Sequence, residues 1–291
     1  MTTEPVRAGS EWLALREPAD AAARAPVLVE ALRTYLPAGG TEIHDLGCGT
    51  GSMARWLAAR LDGPQHWVLY DRDDELLALA SADPPSGAAD GAVVSMETRR
   101  RDITRLDAGE LSGATLITAS ALLDMMTADE LHRLVATCVR AGCPVLITLS
   151  VTGRVDLAPA DSLDRCVMDA FNAHQRRTTG IGRLLGPDAA GAAVDAFTRL
   201  GHDVVVRPSH WRLGPDRSEL AAEWFTGWLA AACEQRPGLG VAAHDYARRR
   251  LRQASAGALS VTVHHRDLLA VPGPAAGNAL SELRRSRHDD A

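Results

Sequence analysis

The sequence predicts a doubly wound α/β fold around a seven-stranded, mostly parallel sheet. Two observations carry that prediction. From Thr41 to Leu149, apolar extended stretches alternate with helical ones, at the spacing that right-handed crossovers require. The first of these stretches, Thr41 to Leu46, also runs directly into Gly47, Gly49 and Gly51, and a helical pattern starts at once with Met53, Ala54, Trp56, Leu57 and Leu61. Strand, glycine loop and helix in that order suit a nucleotide-like ligand. Glycines let the backbone approach it closely, and the helix start presents unpaired N–H groups and a positive dipole end.

Taken in order, Glu11 to Leu36 has helical periodicity that Pro18 and Pro26 should split into two or three pieces, a helical cap over residues 1–40. Strand one is Thr41 to Leu46, and the first sheet helix runs from Ser52 to Leu61, where Asp62-Gly63-Pro64 stops it. His66 to Tyr70 is strand two, closed by Asp71. Asp73 and Asp74 then read as the cap and first turn of a helix over Glu75 to Ala80. Val93 to Arg101 alternates as strand three, and Ala114 to Ala119 is apolar throughout, as a buried parallel strand should be. Thr127 with Glu130 makes a capping box for a helix to Arg140, and Pro144 to Leu149 is strand five. Helices follow over Ser162 to His174 and Pro187 to Leu200, then strand six at His202 to Arg207. Two more helices, Ser218 to Glu234 and Val241 to Ala254, precede a last strand from Leu259 to His265 that Asp267 to Val271 extends. The main domain is thus expected over 41–271, with helical insertions near 160–200 and 215–256, and a flexible tail over 272–291.

Composition narrows the function. At 46% hydrophobic and 23% charged, the chain has the balance of a soluble globular protein, and no apolar run reaches the length of a membrane span. The N-terminus has no signal-peptide core, so the expected location is cytoplasmic. A net charge of −6 argues against nucleic acid as partner. The cysteines number 5, an odd count with no C-x-x-C, which suggests neither a zinc ribbon nor a disulfide framework. Every basic side chain except histidine is arginine, so Schiff-base chemistry is excluded.

The glycine spacing is G-x-G-x-G with an acid two residues ahead, neither the G-x-G-x-x-G of a dinucleotide site nor a P-loop. The run from Asp45 to Gly51, Asp-Leu-Gly-Cys-Gly-Thr-Gly, resembles motif I of the class I S-adenosylmethionine (SAM)-dependent methyltransferases. The resemblance covers about residues 25–150 and implies a Rossmann-like sheet with an antiparallel last strand, and SAM as cofactor. It places Gly47, Cys48, Gly49 and Gly51 against the ligand and Asp45 near its ammonium group. Asp71, about 25 residues past the glycine loop, would take the ribose hydroxyls, with Arg72 beside it. Asp102 would meet the adenine amine while Ile103 packs on the ring; the plain alternative is that Asp102 caps the turn after it. Ser120 stands at the carboxyl end of strand four, where the crevice opens. Arg16, Asp20 and Arg24 share one helix face, and either Arg16 or Arg24 would take the ligand's carboxylate, unless all three are a solvated ion-pair ladder.

The reaction implied is methyl transfer to a small-molecule acceptor, expected at oxygen. The segment after strand four lacks the Asn/Asp-Pro-Pro-Tyr/Phe pattern of enzymes that methylate amide or adenine nitrogens. A SAM-binding protein acting on RNA or protein, or a non-catalytic module, is the alternative. A hydroxyl acceptor calls for a base, and His174 and His210 are the candidates, each with a bland reading as an ordinary helix-end or loop residue. Arg176 or Arg177 could hold an anionic group, and Trp211, Trp224 and Trp228 could wall a flat acceptor, although Trp224 and Trp228 at i, i+4 also fit a plain core. His264 and His265 point to opposite faces of a strand and make a poor metal pair. No metal is expected.

Overall fold

The computed structural model describes residues 9–273. The N-terminal segment forms two helices, α1 (Ser10–Ala23) and α2 (Pro26–Arg33). The break falls at Pro26, which sits at the start of α2 where its missing N–H costs nothing, whereas Pro18 is accommodated inside α1. The sheet then builds from β1 (Thr41–Leu46), β2 (Gln65–Asp71), β3 (Val94–Arg100), β4 (Leu116–Ser120) and β5 (Val145–Ala158). Between them lie α3 (Ser52–Ala58), α4 (Asp74–Ala82) and α5 (Ala128–Ala141). Asp73 caps α4 through Glu75 N, and Thr127 and Glu130 close the expected capping box on α5.

The second half contains α6 (Asp164–Gln175), a small hairpin of β6 (Thr178–Thr179) and β7 (Gly182–Arg183), and α7 (Ala189–Arg199). β8 (His202–Pro208) and β9 (Trp211–Leu213) come next, then α8 (Ser218–Gln235), α9 (Gly240–Ser255) and β10 (Ser260–Pro272). The strand order is β3-β2-β1-β4-β5-β10-β8, with β9 on the far end of β10, eight strands in all. β1 to β5 pair in parallel, and β10 runs antiparallel to both β5 and β8. The order reverses beside β1, which opens the crevice at the carboxyl ends of β1 and β4.

Three elements depart from the sequence reading. α3 ends at Ala58, short of Leu61. β5 continues past Ser150 to Ala158, because β10 pairs with it as far as Ser260↔Ala158. The strands β6, β7 and β9 are too short to show any alternation. The proposed tail from residue 274 onward lies outside the described residues.

Apolar packing falls into three clusters. One joins α5 and α7 to one sheet face, through residues such as Leu131, Leu134 and Phe197. A second joins α2 and α3 to the other face, through Leu28, Leu32, Leu57 and Trp67. The third lies on the projecting ends of β5 and β10, where α6, α8 and α9 gather Val167, Phe225, Trp228 and Tyr246. Ala19 belongs to that third cluster and Trp12 and Leu15 pack against it, so α1 is tied to the helical layer beside the crevice.

Candidate active site

The glycine loop leaves β1 with its backbone held from beneath. Gly47 N and Cys48 N both donate to Tyr70 O, at 2.8 and 2.9 Å. Gly47 has φ +69°, and a Cβ there would stand 3.1 Å from the Leu122 side chain, so any larger residue would be both strained and crowded. Asp71 braces the loop from β2. Its Oδ2 accepts from Gly49 N at 2.9 Å and its Oδ1 from Asp73 N at 3.0 Å, which leaves each oxygen a lone pair for a further donor.

Asp45 lies beneath the loop and is buried. Thr118 Oγ1 donates to its Oδ1 at 2.6 Å, while Oδ2 has no hydrogen-bond partner among the described residues. Burial pushes this carboxyl up to about 6, against the opposing pull of the Thr118 hydrogen bond and of Arg24. Arg24 is the arginine that reaches the site: its guanidinium donates to Ser52 O (3.4 Å), Ser52 Oγ (3.2 Å) and Ser120 Oγ (3.2 Å). It is buried, which lowers its proton affinity, but Asp20, Asp267 and Asp45 support its charge. Its Nε has no partner among the described residues. Arg16 is instead locked to Asp20 (2.9 and 3.1 Å) under the Trp211 ring.

The remaining sequence candidates divide. Cys48 is buried, and its thiol is pushed well up by burial and by Asp45 and Asp71, so it is no nucleophile. Ser120 Oγ accepts from Thr148 Oγ1 at 3.0 Å as well as from Arg24. Arg72 is exposed and its carbonyl accepts from Arg100 Nε. Asp102 caps its own turn: Oδ1 accepts from Thr104 N (3.0 Å) and Thr104 Oγ1 (2.8 Å), and Arg105 lies at 3.3 Å. Ile103 is buried with the α5 face of the sheet.

On the acceptor side, His174 Nε2 is 3.2 Å from Glu234, and its Nδ1 is 3.4 Å from Arg177 Nη1. The His210 ring lies 4.3 Å from that of His264, and burial followed by the neighbouring His264 holds it below the ordinary histidine value. Among the described residues, neither imidazole has a hydrogen bond or ring contact with the glycine loop. Arg176 is paired twice with Asp188, at 2.6 Å each. Trp224 stacks on Trp228 at 5.2 Å, and Trp228 is buried against Phe171 and Phe225 as core. Trp211 donates from Nε1 to Asp20 at 2.9 Å. His264 bonds Asp156, while His265 lies buried against Trp211.

Two groups that periodicity did not single out stand beside the crevice. Asp267, buried within β10, accepts from Ala25 N (2.8 Å) and Leu149 N (2.7 Å) and so fixes the α1–α2 junction to the sheet. Its sequence signal is an acid ahead of the apolar Leu-Leu-Ala-Val. Asp124 lies on the single 3₁₀ turn Leu123–Met125 just past β4, and its signal is its place after a crevice strand. The two non-glycine residues with positive φ among those described, Ala121 (51°) and Leu149 (57°), also lie at this edge. Above the glycines are the side chains of Leu13, 3.4 Å from a Cβ at Gly49, and Leu122. Hollows of about 620 and 590 Å³ open elsewhere, along residues 85–94 and between Trp12, Leu15, Glu219 and Glu223.

The donor set fits the amino-acid end of SAM. A buried carboxylate oxygen awaits a donor and a buried guanidinium nitrogen awaits an acceptor, with a loop of glycines beside them. A family model described as a methyltransferase domain matches residues 43–144. No curated protein matches the sequence. Among solved structures, a SAM-dependent methyltransferase from Methanosarcina mazei is similar at 12% identity and TM-score 0.46, covering 82% of this chain and 95% of that one. The YcgJ protein of Bacillus subtilis is similar at 14% identity and TM-score 0.46, covering 85% and 98%. A methyltransferase from Geobacter sulfurreducens, bound to S-adenosylhomocysteine, is similar at 17% identity and TM-score 0.41, covering 85% and 89%. Residues 43–144, which hold the glycine loop, Asp45, Asp71, Asp102 and Ser120, thus match a methyltransferase domain.

Proposed function

We propose that this methyltransferase acts on a small-molecule acceptor, at oxygen. The observation that carries the cofactor half of this reading is the unpartnered Asp45 Oδ2 beside Arg24 under the glycine loop. Asp45 would accept from the ligand's ammonium and Arg24 would donate to its carboxylate. Gly47, Cys48, Gly49 and Gly51 would let the backbone lie against it. Asp71, with Arg72, would take the ribose hydroxyls through its spare lone pairs. Ile103 and Asp102 would border the adenine, with Asp102 turning from Thr104 to the exocyclic amine, and Ser120 would complete the edge nearest Arg24. Binding would require the Leu13 and Leu122 side chains to give way.

When bound, SAM supplies an activated methyl group on a sulfonium. The chain's task is to line up the acceptor behind it and exclude water. The Trp12 and Trp211 rings, 6.2 Å apart, and Arg177 stand on the side where an acceptor would enter, which supports a small, flat substrate.

The test is calorimetry with SAM and S-adenosylhomocysteine on the wild type and Asp71→Ala. Micromolar binding is expected, weakened about tenfold or more by the substitution, since two hydrogen bonds to a charged group are lost. Equal affinity in both proteins would remove the ribose assignment. Transfer of labelled methyl into a fractionated metabolite pool, with mass spectrometry of the product, would identify the methylated atom.

A further inference from the structure

We propose that the Asp124 carboxylate is the proton acceptor of the methyl transfer, taking the hydrogen of the acceptor's hydroxyl. This rests on the methyl-transfer reading above and adds to it a base that the sequence did not reveal.

Position is the first argument. The 3₁₀ turn holding Asp124 follows β4 at the crevice edge, and Leu122, two residues earlier, is the side chain packed against Gly47. On the other side the segment meets the end of α6, where Gln175 Nε2 donates to Asp124 Oδ2. The carboxylate thus lies between the glycine loop and the helical layer, where an acceptor has to stand.

Bonding is the second argument. Asp45, Asp71 and Asp267 each hold a side-chain or backbone donor at 2.6 to 2.9 Å. Asp124 is half-buried, yet its side-chain bond to Gln175 is 3.3 Å, long for a charged acceptor. Gln175 Oε1, buried beside it, has no partner among the described residues. Polar capacity on both groups is therefore left for a ligand that donates and accepts, as a hydroxyl does.

Electrostatics is the third. Burial pushes the Asp124 carboxyl up to about 6, while Arg16 from α1 and Arg177 beyond α6 pull the other way. The other charges on elements packed against this turn are engaged or turned outward: Asp188 is paired with Arg176, Arg154 of β5 with Asp156, Arg199 lies against His132, and Asp195 is exposed. Such a carboxyl sits near the operating pH, as a general base should. In the step, the acceptor oxygen bonds to the methyl carbon as the carbon–sulfur bond breaks, and that bond's electron pair stays on sulfur as a neutral thioether. The acceptor's proton passes to Asp124 and from there to water.

The test needs no acceptor. SAM carries a positive sulfonium and S-adenosylhomocysteine does not, while both carry the same ammonium and carboxylate. A positive charge arriving near Asp124 lowers its pKa by about one unit or more. At pH 6 the wild type should therefore release about 0.4 proton more on binding SAM than on binding S-adenosylhomocysteine. This is read by calorimetry in buffers of different ionisation heat. Asp124→Asn should abolish that difference and leave affinity for S-adenosylhomocysteine within about threefold. Gln175→Leu removes the donor and should move the pH of greatest release upward. A difference that survives Asp124→Asn, or a wild type that releases equally with both ligands, overturns the proposal. If Asp124→Asn does not fold, an unmoved pH maximum in Gln175→Leu overturns it. A wild type that binds neither ligand would instead bring down the methyl-transfer reading itself.

Discussion

At the scale of single residues, Asp45 shows how burial and function pull against each other. Its carboxyl is held near 6 in the folded chain, above the ordinary aspartate value that it has when unfolded. Between those two values the native state holds a proton that the unfolded state has lost. The contribution of Asp45 to stability is therefore fully present below about pH 4 and is lost as pH rises through about 6, by on the order of 3 kcal/mol. Asp45→Asn should remove that slope while keeping an oxygen for Thr118, and thermal melts of both proteins from pH 4 to 7 would check it. The difference between the two curves isolates Asp45, because Asp124 titrates in both. S-adenosylhomocysteine should bind the wild type more tightly as pH rises through 6, since an ionised Asp45 suits the ligand's ammonium. A variant whose melting curve tracks the wild type at every pH would place the titration elsewhere. Asp45 and Asp71 stand out in the sequence because a motif or a fixed distance from the glycines marks them, whereas Arg24 is offered there only as one of a helix-face pair with Arg16. Asp124 does not stand out, because the property that sets it apart is what surrounds it in space.

At the scale of elements, legibility follows length and periodicity. β1 is as read to the residue, and the Thr127 cap fixed the start of α5, since both signals are local. The extension of β5 was hidden, because Val151 to Ala158 includes Gly153, Arg154 and Asp156 and is a strand only by pairing with β10. The same β10 carries Asp267 into the interior, where it accepts two buried backbone N–H groups from elements far apart in sequence. Asp267→Ala would leave both donors unsatisfied, at about 1–3 kcal/mol each. The expected result is a loss of about 2–5 kcal/mol in urea unfolding, together with weaker binding of S-adenosylhomocysteine, because Ala25 is the neighbour of Arg24. A variant as stable as the wild type would show that this junction is held by apolar packing alone.

At the scale of the whole molecule, α1 joins the sheet to the helical layer. Its Trp12, Leu15 and Ala19 pack with α6, α8 and α9, while Glu17 forms a two-pronged pair with Arg55 of α3 (2.8 and 2.6 Å) and Leu13 covers Gly49. Arg24, just past its end, reaches Ser52 and Ser120. A ligand that engages Arg24 and displaces Leu13 must therefore act on this helix and the glycine loop together. Hydrogen exchange with and without S-adenosylhomocysteine is the direct check. Slowed exchange is expected in residues 10–24 and 47–52 as one group, since ligand binding stabilises whatever unit must close around it. α9 packs against α8 in the helical layer and should keep its rates apart from any global change. Breaking the link with Glu17→Gln should leave protection at 47–52 but reduce it along 10–24, because a charged pair that is partly shielded from water is lost. Protection confined to the loop in the wild type would mean that α1 rides on the helical layer and takes no part in holding the cofactor.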